Sequence, residues 1–503
     1  MGLLAAIHRW RAARAAAYLR NYYGYNAVRP SRLDNWTPVN EMVNHLIGRA
    51  SPRLRARVRD LVRNFPLFAR GVNGYTSFVV GRGARFQSLA TLPDGQPALK
   101  LRRRIEDRFR LWMETDACCD GRLHFYELEQ LLCRQMLECG EGIFQETTSK
   151  NYRTNPFSLM PIEPDRLTDL GARVDDVQTQ DVFAGIEYDK FTGAPLYYNI
   201  ADDGYYANVH RVPARLIFHI FQTLRPGQLR GVTPFAPAIL TARAMAEYTQ
   251  SELDSSKMAA KYLAMVTTPD IQNFQQARLV GNKAGSSEAQ RIEMLENATI
   301  EYLQPGEQIQ FAQTAQRPGD SFDRFVRYAT RMVSITVDVP YEVLSGDYTG
   351  INYSTSKAAR GDAAMLLTPH KYLIEQRFLM PIFRRWLEYE ALTQDYLRGY
   401  WQHPECFSRA MWIPAGMPSV DPQRDGRADI DAITAGLKSP QECILARGAD
   451  PEEVLQQLRE WQAMSERMGL SFGQPSTALA HNPAALDEQP LDVSKKEQSN
   501  ATE

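Results

Sequence analysis

From Pro237 to Val266 the sequence is patterned as one long helix, with Pro237 suited to its first turn. About 30 residues at about 1.5 Å each make a rod of about 45 Å, too long to bury in a small globule and suited to a stalk. A second helical run follows after Asp320, which is placed to cap it. Its apolar face is Phe322, Phe325, Val326, Ala329, Met332 and Val333, and Pro340 lies just beyond it. Between the rods, residues 267 to 318 form a polar, Gln-rich excursion. It contains the loose segment LVGNKAGSSEAQ and a strand-like TIEYLQPGEQIQFAQ with a Pro305-Gly306 turn. Two long helices flanking a small αβ insert read as a stem carrying a tip.

The string TVDVPYEVLSGDYTGINYSTSKAAR, Thr336 to Arg360, places a polar loop directly after the second rod. The loop is expected over 344–356 and holds Gly346, Asp347, Tyr348, Gly350, Asn352, Tyr353 and Ser354 before helix resumes at Lys357. It has two glycines and almost no acid, and it joins helical segments instead of ending a domain. Loops of this kind on a rigid helical frame are where function concentrates.

The chain has 503 residues, 44% hydrophobic and 23% charged, enough for a sizeable core and about three domains. A formal net charge of -1 excludes a global field that would drive it onto nucleic acid or membrane, so any basic surface is local. No run of about eighteen apolar residues occurs, so no transmembrane helix is expected. The first 29 residues mix Leu3, Leu4, Ile7 and Trp10 with Arg9, Arg11 and Arg14, without the order or cleavage site of a signal peptide. They read as a basic amphipathic helix packing on a partner or on the protein's own body, with membrane-surface binding as the alternative. Cys118, Cys119, Cys133, Cys139, Cys406 and Cys443 show no CxxC pairing and no adjacent His cluster. They fit buried thiols in a reducing cytoplasm, and no metal is expected.

Residues 50 to 83 read as an arginine-rich helix entering an apolar run, broken or kinked at Pro66. The glycines Gly81 and Gly83 resemble the start of a dinucleotide fingerprint, but position 86 is Phe, so a turn is expected. Arg102 to Gly140 favours helix, and 141 to 222 reads as a β-rich meander. A helix from about Ser356 to Leu392 should be interrupted near Pro369 and kinked or broken near Pro381, and WIPAGMPSVDP is an extended connector. Ser439-Pro440-Gln441-Glu442 and Asp450-Pro451-Glu452-Glu453 both have the form of capping boxes with proline at the first helical position. Residues 471–503 lose apolar periodicity and are expected to be disordered.

Catalytic signatures are missing from the sequence: no GxxxxGK[ST], HExxH, GxSxG or EF-hand loop occurs. His210 and His219 flank RVPARLIF and are the one pair that a hydrolase with a non-standard site would use, with a carboxylate converging on His210. The arginines of 9–32 and 49–70 have two readings, a nucleic-acid surface or pairing with acidic faces of a neighbouring subunit. Tyr18, Tyr22, Tyr23 and Tyr25 are the best case for base stacking, against a simple packing cluster.

Five segments in order resemble lambda-type tailed-phage portal proteins: RDLVRNFPLFARGVNGYTSFVVGRG, EYDKFTGAPLYY, IFHIFQTLRPGQLRGVTPFAPAIL, VPYEVLSGDYTGINYSTSKAAR and LKSPQECILARGADPEEVLQQL. The resemblance spans about residues 30 to 465. It implies an α+β, helix-rich portal fold: a wing over 30–236, helical then β-rich, a stem helix over 237–266 and a clip over 267–318. A second stem helix over 319–343, the tunnel loop over 344–356, tunnel and wing helices over 357–394 and a crown over 395–470 complete it. It also implies a homo-oligomeric ring, usually of twelve copies, at one vertex of the virion capsid, assembled in the host cytoplasm. Double-stranded DNA would pass through its centre, in packaging and in ejection. The implied partners are the terminase large subunit, a head-tail connector, the major capsid protein and the scaffold, with no membrane, no cofactor and no catalysis. A channel that passes DNA cannot grip it, so loop contacts should be weak and directed at phosphate. On that reading Ser345, Tyr348, Asn352, Tyr353 and Ser354 supply hydroxyl and amide donors, while Lys357 and Arg360 supply charge. The competing reading of Asn352 and Ser354 is that they shape a turn and cap the next helix. A phage connector or scaffold without a DNA channel is the remaining alternative, beside the hydrolase.

Overall fold

A computed structural model describes residues 40–202, 208–261, 264–267, 308–311, 320–419 and 421–470. The N-terminal segment with its tyrosines, most of the 267–318 insert and the tail 471–503 lie outside the described residues. Along the chain, helices α1 (Val43–Asn64) and α2 (Pro66–Val79) precede strand β1 (Arg85–Ser88) and helices α3 (Leu99–Thr115) and α4 (Phe125–Glu138). Strands β2 (Glu141–Thr148), β3 (Phe157–Ile162), β4 (Gln180–Phe183), β5 (Ile186–Asp189), β6 (Pro195–Ala201), β7 (Val209–Pro213) and β8 (Ile217–Phe221) follow. Next come α5 (Ile239–Lys261), β9 (Ala264–Thr267), β10 (Gln308–Phe311), α6 (Asp320–Thr336), α7 (Tyr341–Ser345), α8 (Tyr353–Ile374) and α9 (Met380–Thr393). Strand β11 (Ala410–Ile413) and helices α10 (Pro422–Thr434), α11 (Pro440–Ala446) and α12 (Pro451–Arg467) close the described chain. The fold is α+β and rich in helix, and its described residues divide into two compact units, those of 40–79 with those of 112–389, and 80–111 with those of 390–470.

In the first unit, α1 buries Ile47, Ser51, Arg55, Val58 and Val62 at helical spacing. The arginines of this helix divide. Arg55 turns inward to Asp165 at 2.8 Å, and Arg59 reaches Asp165 at 2.6 Å and Glu163 at 2.8 Å. Arg53, Arg57 and Arg63 stay exposed. Phe65 is extended and Pro66 opens the next helix, so the expected break falls there because proline needs no partner for a missing N–H at a first turn. The helical stretch expected from Arg102 to Gly140 is instead two helices, separated at 116–124. There Gly121 takes the left-handed conformation at φ 66°, which no right-handed helix contains, and the Asp116 carboxylate accepts from the backbone N–H groups of Arg153 and Thr154.

The meander of 141–222 is two antiparallel sheets, ordered β3-β2-β8 and β4-β5-β6-β7. Ile143 and Ile162 from the first pack with Ile186, Tyr198, Ile200 and Val212 from the second in one apolar cluster. The segment after β8 crosses the start of β2 with backbones touching: a Cβ on Gly231 would lie 2.1 Å from the Gly140 carbonyl oxygen. Only glycine fits such an approach.

Helix α5 ends at Lys261, short of the expected Val266, and its 23 residues span about 34 Å. Ala264–Thr267 instead pairs antiparallel with Gln308–Phe311, within the strand-like stretch read from sequence. Helix α6 leans on α5 through Tyr248, whose ring lies 5.0 Å from that of Phe325 and 5.7 Å from that of Phe322. Ala329 and Val333 are buried as expected, but Met332 faces outward. Pro369 does not interrupt α8. It is exposed, so water can satisfy the carbonyl one turn before it. Near Pro381 the helix loosens into a π segment, Glu375–Leu379, in which the Met380 N–H reaches back to the Glu375 carbonyl. That extra residue in the turn absorbs the misfit of the proline.

In the second unit β1 pairs antiparallel with β11, Arg85 opposite Ile413 and Ser88 opposite Ala410. Residues 80–111, grouped by sequence with 30–236, therefore fold with the 395–470 region. Gly81 and Gly83 form the expected turn, both with positive φ. Phe86, Phe109 and Trp412 make an aromatic core with ring centroids 4.6 to 5.9 Å apart. Ser439 forms the expected capping box with Glu442. Asp450 caps α12 through Glu452 N–H, but the reciprocal half is missing because Glu453 turns to Arg85 at 3.3 Å.

Candidate nucleic-acid interface

Five residues of α7 end at Gly346, which caps the helix in the left-handed conformation at φ 72°. The chain then bends through Asp347 to Ile351, and Asn352 starts α8. The non-helical loop is thus 346–352, narrower than the expected 344–356. Both ends are braced. On one side Leu344 is buried, and the Arg70 Nε donates to the Val343 carbonyl at 3.0 Å. Gly74 permits this side to close: a Cβ there would stand 3.1 Å from the Val339 side chain. On the other side Asn352 Oδ1 accepts from Thr355 N–H at 2.9 Å, from Ser354 Oγ at 2.7 Å and from Thr355 Oγ1 at 2.9 Å.

Between these braces the loop holds itself. Asp347 Oδ1 accepts from the Thr349 N–H at 3.0 Å and from the Thr349 hydroxyl at 2.6 Å, and Gly350 takes a second left-handed turn at φ 73°. The Thr349 hydroxyl, its backbone N–H and the Arg327 guanidinium hold the Asp347 carboxyl below the usual range. The one acid in the loop is therefore turned into a structural acceptor, its charge partly offset.

Of the seven residues named from sequence, five stand at exposed positions: Ser345, Tyr348, Asn352, Ser354 and Lys357. Tyr353 and Arg360 are half-buried on α8. Asn352 and Ser354 build the helix cap, as the competing reading held, and the Ser354 hydroxyl is spent on it. Lys357 Nζ lies 3.4 Å from the Tyr353 hydroxyl and 5.7 Å from its ring centre, so phenol and ammonium act as one unit. Tyr348 is 54% exposed at the loop tip, and Arg360 pairs with no carboxylate among the described residues. Tyr353, Ser354, Lys357 and Arg360 belong to the first two turns of a rigid helix, where sequence had put Tyr353 and Ser354 in the loop. Arg70, Gly71 and Gly74, which set the loop's base, were missed. Their signal was two glycines one turn apart on an amphipathic helix.

A dense charge cluster lies elsewhere and is buried. Glu141 receives Arg230 on both oxygens, with Nη2 to Oε1 at 2.5 Å, the Gly231 N–H at 2.8 Å and His219 Nε2 at 3.1 Å. Arg230 also donates to the Pro164 carbonyl at 3.0 Å and to the Ala184 carbonyl. Burial pushes the Glu141 pKa up, but Arg230 and His219 overcome it and hold the carboxyl well below its usual range. Burial lowers the His219 pKa, and with Nε2 turned to Glu141 its Nδ1 meets the Tyr198 hydroxyl at 3.2 Å. Both ring nitrogens of His219 are committed. His210 is 61% exposed and meets Asp202 at 3.0 Å, so among the described residues the two histidines share no partner. Among the described residues no group of His, Cys, Asp and Glu could hold a metal, and no helix is long and apolar enough to cross a membrane.

A model of the family described as "Phage portal protein, lambda family" matches residues 29–366. The chain is 24% identical to portal protein B of Escherichia phage lambda, covering 92% of this chain and 93% of that one. It is 23% identical to the portal protein of Escherichia phage N15, covering 92% and 94%. Among solved structures, a chain from the neck of a native GTA particle aligns at 16% identity and a TM-score of 0.43, covering 82% of this chain and all of that one.

Proposed function

The chain belongs to the lambda family of phage portal proteins, and on that premise we propose that it forms a homo-oligomeric ring, of twelve copies, at one vertex of the virion capsid. Double-stranded DNA is packaged and ejected through the centre of that ring. The observation that carries this reading is the reach of the family match, which runs from residue 29 through the whole loop and into α8. Energy for packaging comes from a partner ATPase, the terminase, and not from this chain. The head-tail connector, the major capsid protein and the scaffold dock on the same ring.

The loop 346–352 and the first turns of α8 line the channel. Tyr348 at the tip and the Lys357–Tyr353 pair offer donors without a fitted pocket, and Arg360 adds charge one turn on. Contacts of this kind reach phosphate without reading sequence and are individually weak. Asn352 and Ser354 serve by holding the loop's exit. Repeated around a ring, a braced loop touches DNA many times without gripping it.

Electron microscopy of the purified protein tests the assembly. Closed rings with a central hole are expected, and monomers or filaments without a channel would overturn it. Replacing Asp347–Ile351 with a shorter link, with Asn352 kept as the cap, is expected to leave rings intact and impair packaging or retention of DNA. Loss of rings in that variant would make the loop architectural instead.

A further inference from the structure

Helices α6 and α8 each carry an apolar stripe on the side facing away from their own core. On α6 the inward stripe includes Ala329 and Val333, both fully buried. Tyr328, Met332 and Ile335 point the other way, 58%, 39% and 69% exposed, within about 60° of one line on the helix. On α8 the inward residues are Ala363, Leu367 and Ile374. Opposite them Met365, Leu366 and Tyr372 are 68%, 50% and 62% exposed, with exposed Pro369 between. A surface helix needs one apolar stripe, toward its core. A second, clustered one marks a face that another surface covers.

The two outward stripes differ in charge, and the difference identifies the cover. Beside the α6 stripe runs a row of exposed arginines, Arg324, Arg327 and Arg331. Arg327 is taken by Asp323 at 2.9 Å. Arg331 lies over the Tyr341 ring at 5.4 Å and pairs with no carboxylate among the described residues. Within the α8 stripe stands Asp362, the sole acid of that helix, exposed and paired with no cation among the described residues. Either face against itself would set like charge on like. Against each other they match apolar to apolar and acid to base. A contact between two different faces of identical chains is head-to-tail, and it closes into a ring when its rotation permits.

We propose that α8 of each copy docks on α6 of the next, with Met365, Leu366 and Tyr372 against Tyr328, Met332 and Ile335, and Asp362 against Arg331 of the next copy. The inference rests on the ring proposed above and names the surfaces that close it. Charge reversal tests it on the full-length protein, with assembly followed by sedimentation or native mass spectrometry and fold by circular dichroism. Asp362→Arg and Arg331→Asp should each raise the concentration at which rings form by about tenfold or more, and the double variant should recover most of the loss. Ile335→Asp should abolish rings while helix content stays at the wild-type level. Wild-type rings with unaffected single variants, or single losses that the double variant does not recover, would overturn the docking while the ring stands. Absence of wild-type rings would overturn both.

Discussion

Removing the Glu141 carboxylate is expected to destabilise the first unit strongly. Glu141 is fully buried, and Arg230, the Gly231 N–H and His219 all converge on it. Glu141→Ala leaves a buried guanidinium without its counter-charge and strands a buried N–H. Breaking a buried ion pair from one side costs about 3–5 kcal/mol, a large share of the roughly 5–15 kcal/mol of a typical domain. With a urea dependence of about 3 kcal/mol per molar, the unfolding midpoint should fall by about 1–2 M. Trp112 and Trp386, buried in the same unit, report the transition by fluorescence.

The pH dependence follows the same cluster. Glu141 is depressed in the folded chain, so its stabilisation is present above the unfolded carboxylate value near about 4.3 and is lost as pH falls below it. His219 is also depressed, so the unfolded chain takes up its proton first, and stability begins to decline as pH drops below about 6.5. Glu141→Gln should be less stable than wild type at pH 7 yet flatter between about pH 5 and pH 3. An unchanged midpoint for Glu141→Ala, or an identical acid limb for Glu141→Gln, would refute the reasoning.

In the second unit, burial, reinforced by nearby Asp450 and Glu452, pushes Glu106 up to about 7 even though it accepts the Ser88 N–H. A raised carboxyl loses stabilisation as pH rises through its folded value, so Glu106→Gln should stabilise this unit at pH 8 and little at pH 5, read by thermal melts. Gly231→Ala should abolish soluble expression or lower the melting temperature steeply, because its Cβ would collide with the Gly140 carbonyl at 2.1 Å. Asn352→Ala should cost about 1 kcal/mol and fray the first turn of α8, seen as faster amide exchange at Thr355 and Ser356.

Much of the local structure is legible in the residues because its causes are local. Proline opening α2 and α11, the Ser439 box, the glycine turn at 81–83 and the alternation of the β meander each depend on neighbours a few positions away. The loop after the second rod is legible for the same reason, as is the cap at Asn352. What the amino-acid order leaves open is set by segments that are distant in sequence. Helix α5 stops at Lys261 because Gln308–Phe311 offers Ala264–Thr267 a strand partner. Residues 80–111 join the C-terminal unit because β1 finds β11. Glu453 abandons its cap for Arg85, and Glu141, unremarkable in a row of residues, becomes the centre of a buried ion cluster once β8 and the Arg230 segment close over it. Met332 belongs by spacing to an apolar face but turns outward, because the inward side of α6 is filled by Ala329 and Val333. Hydrophobic periodicity and capping act along the chain, whereas strand pairing, ion burial and the choice of which apolar stripe faces inward depend on what the folded chain brings alongside.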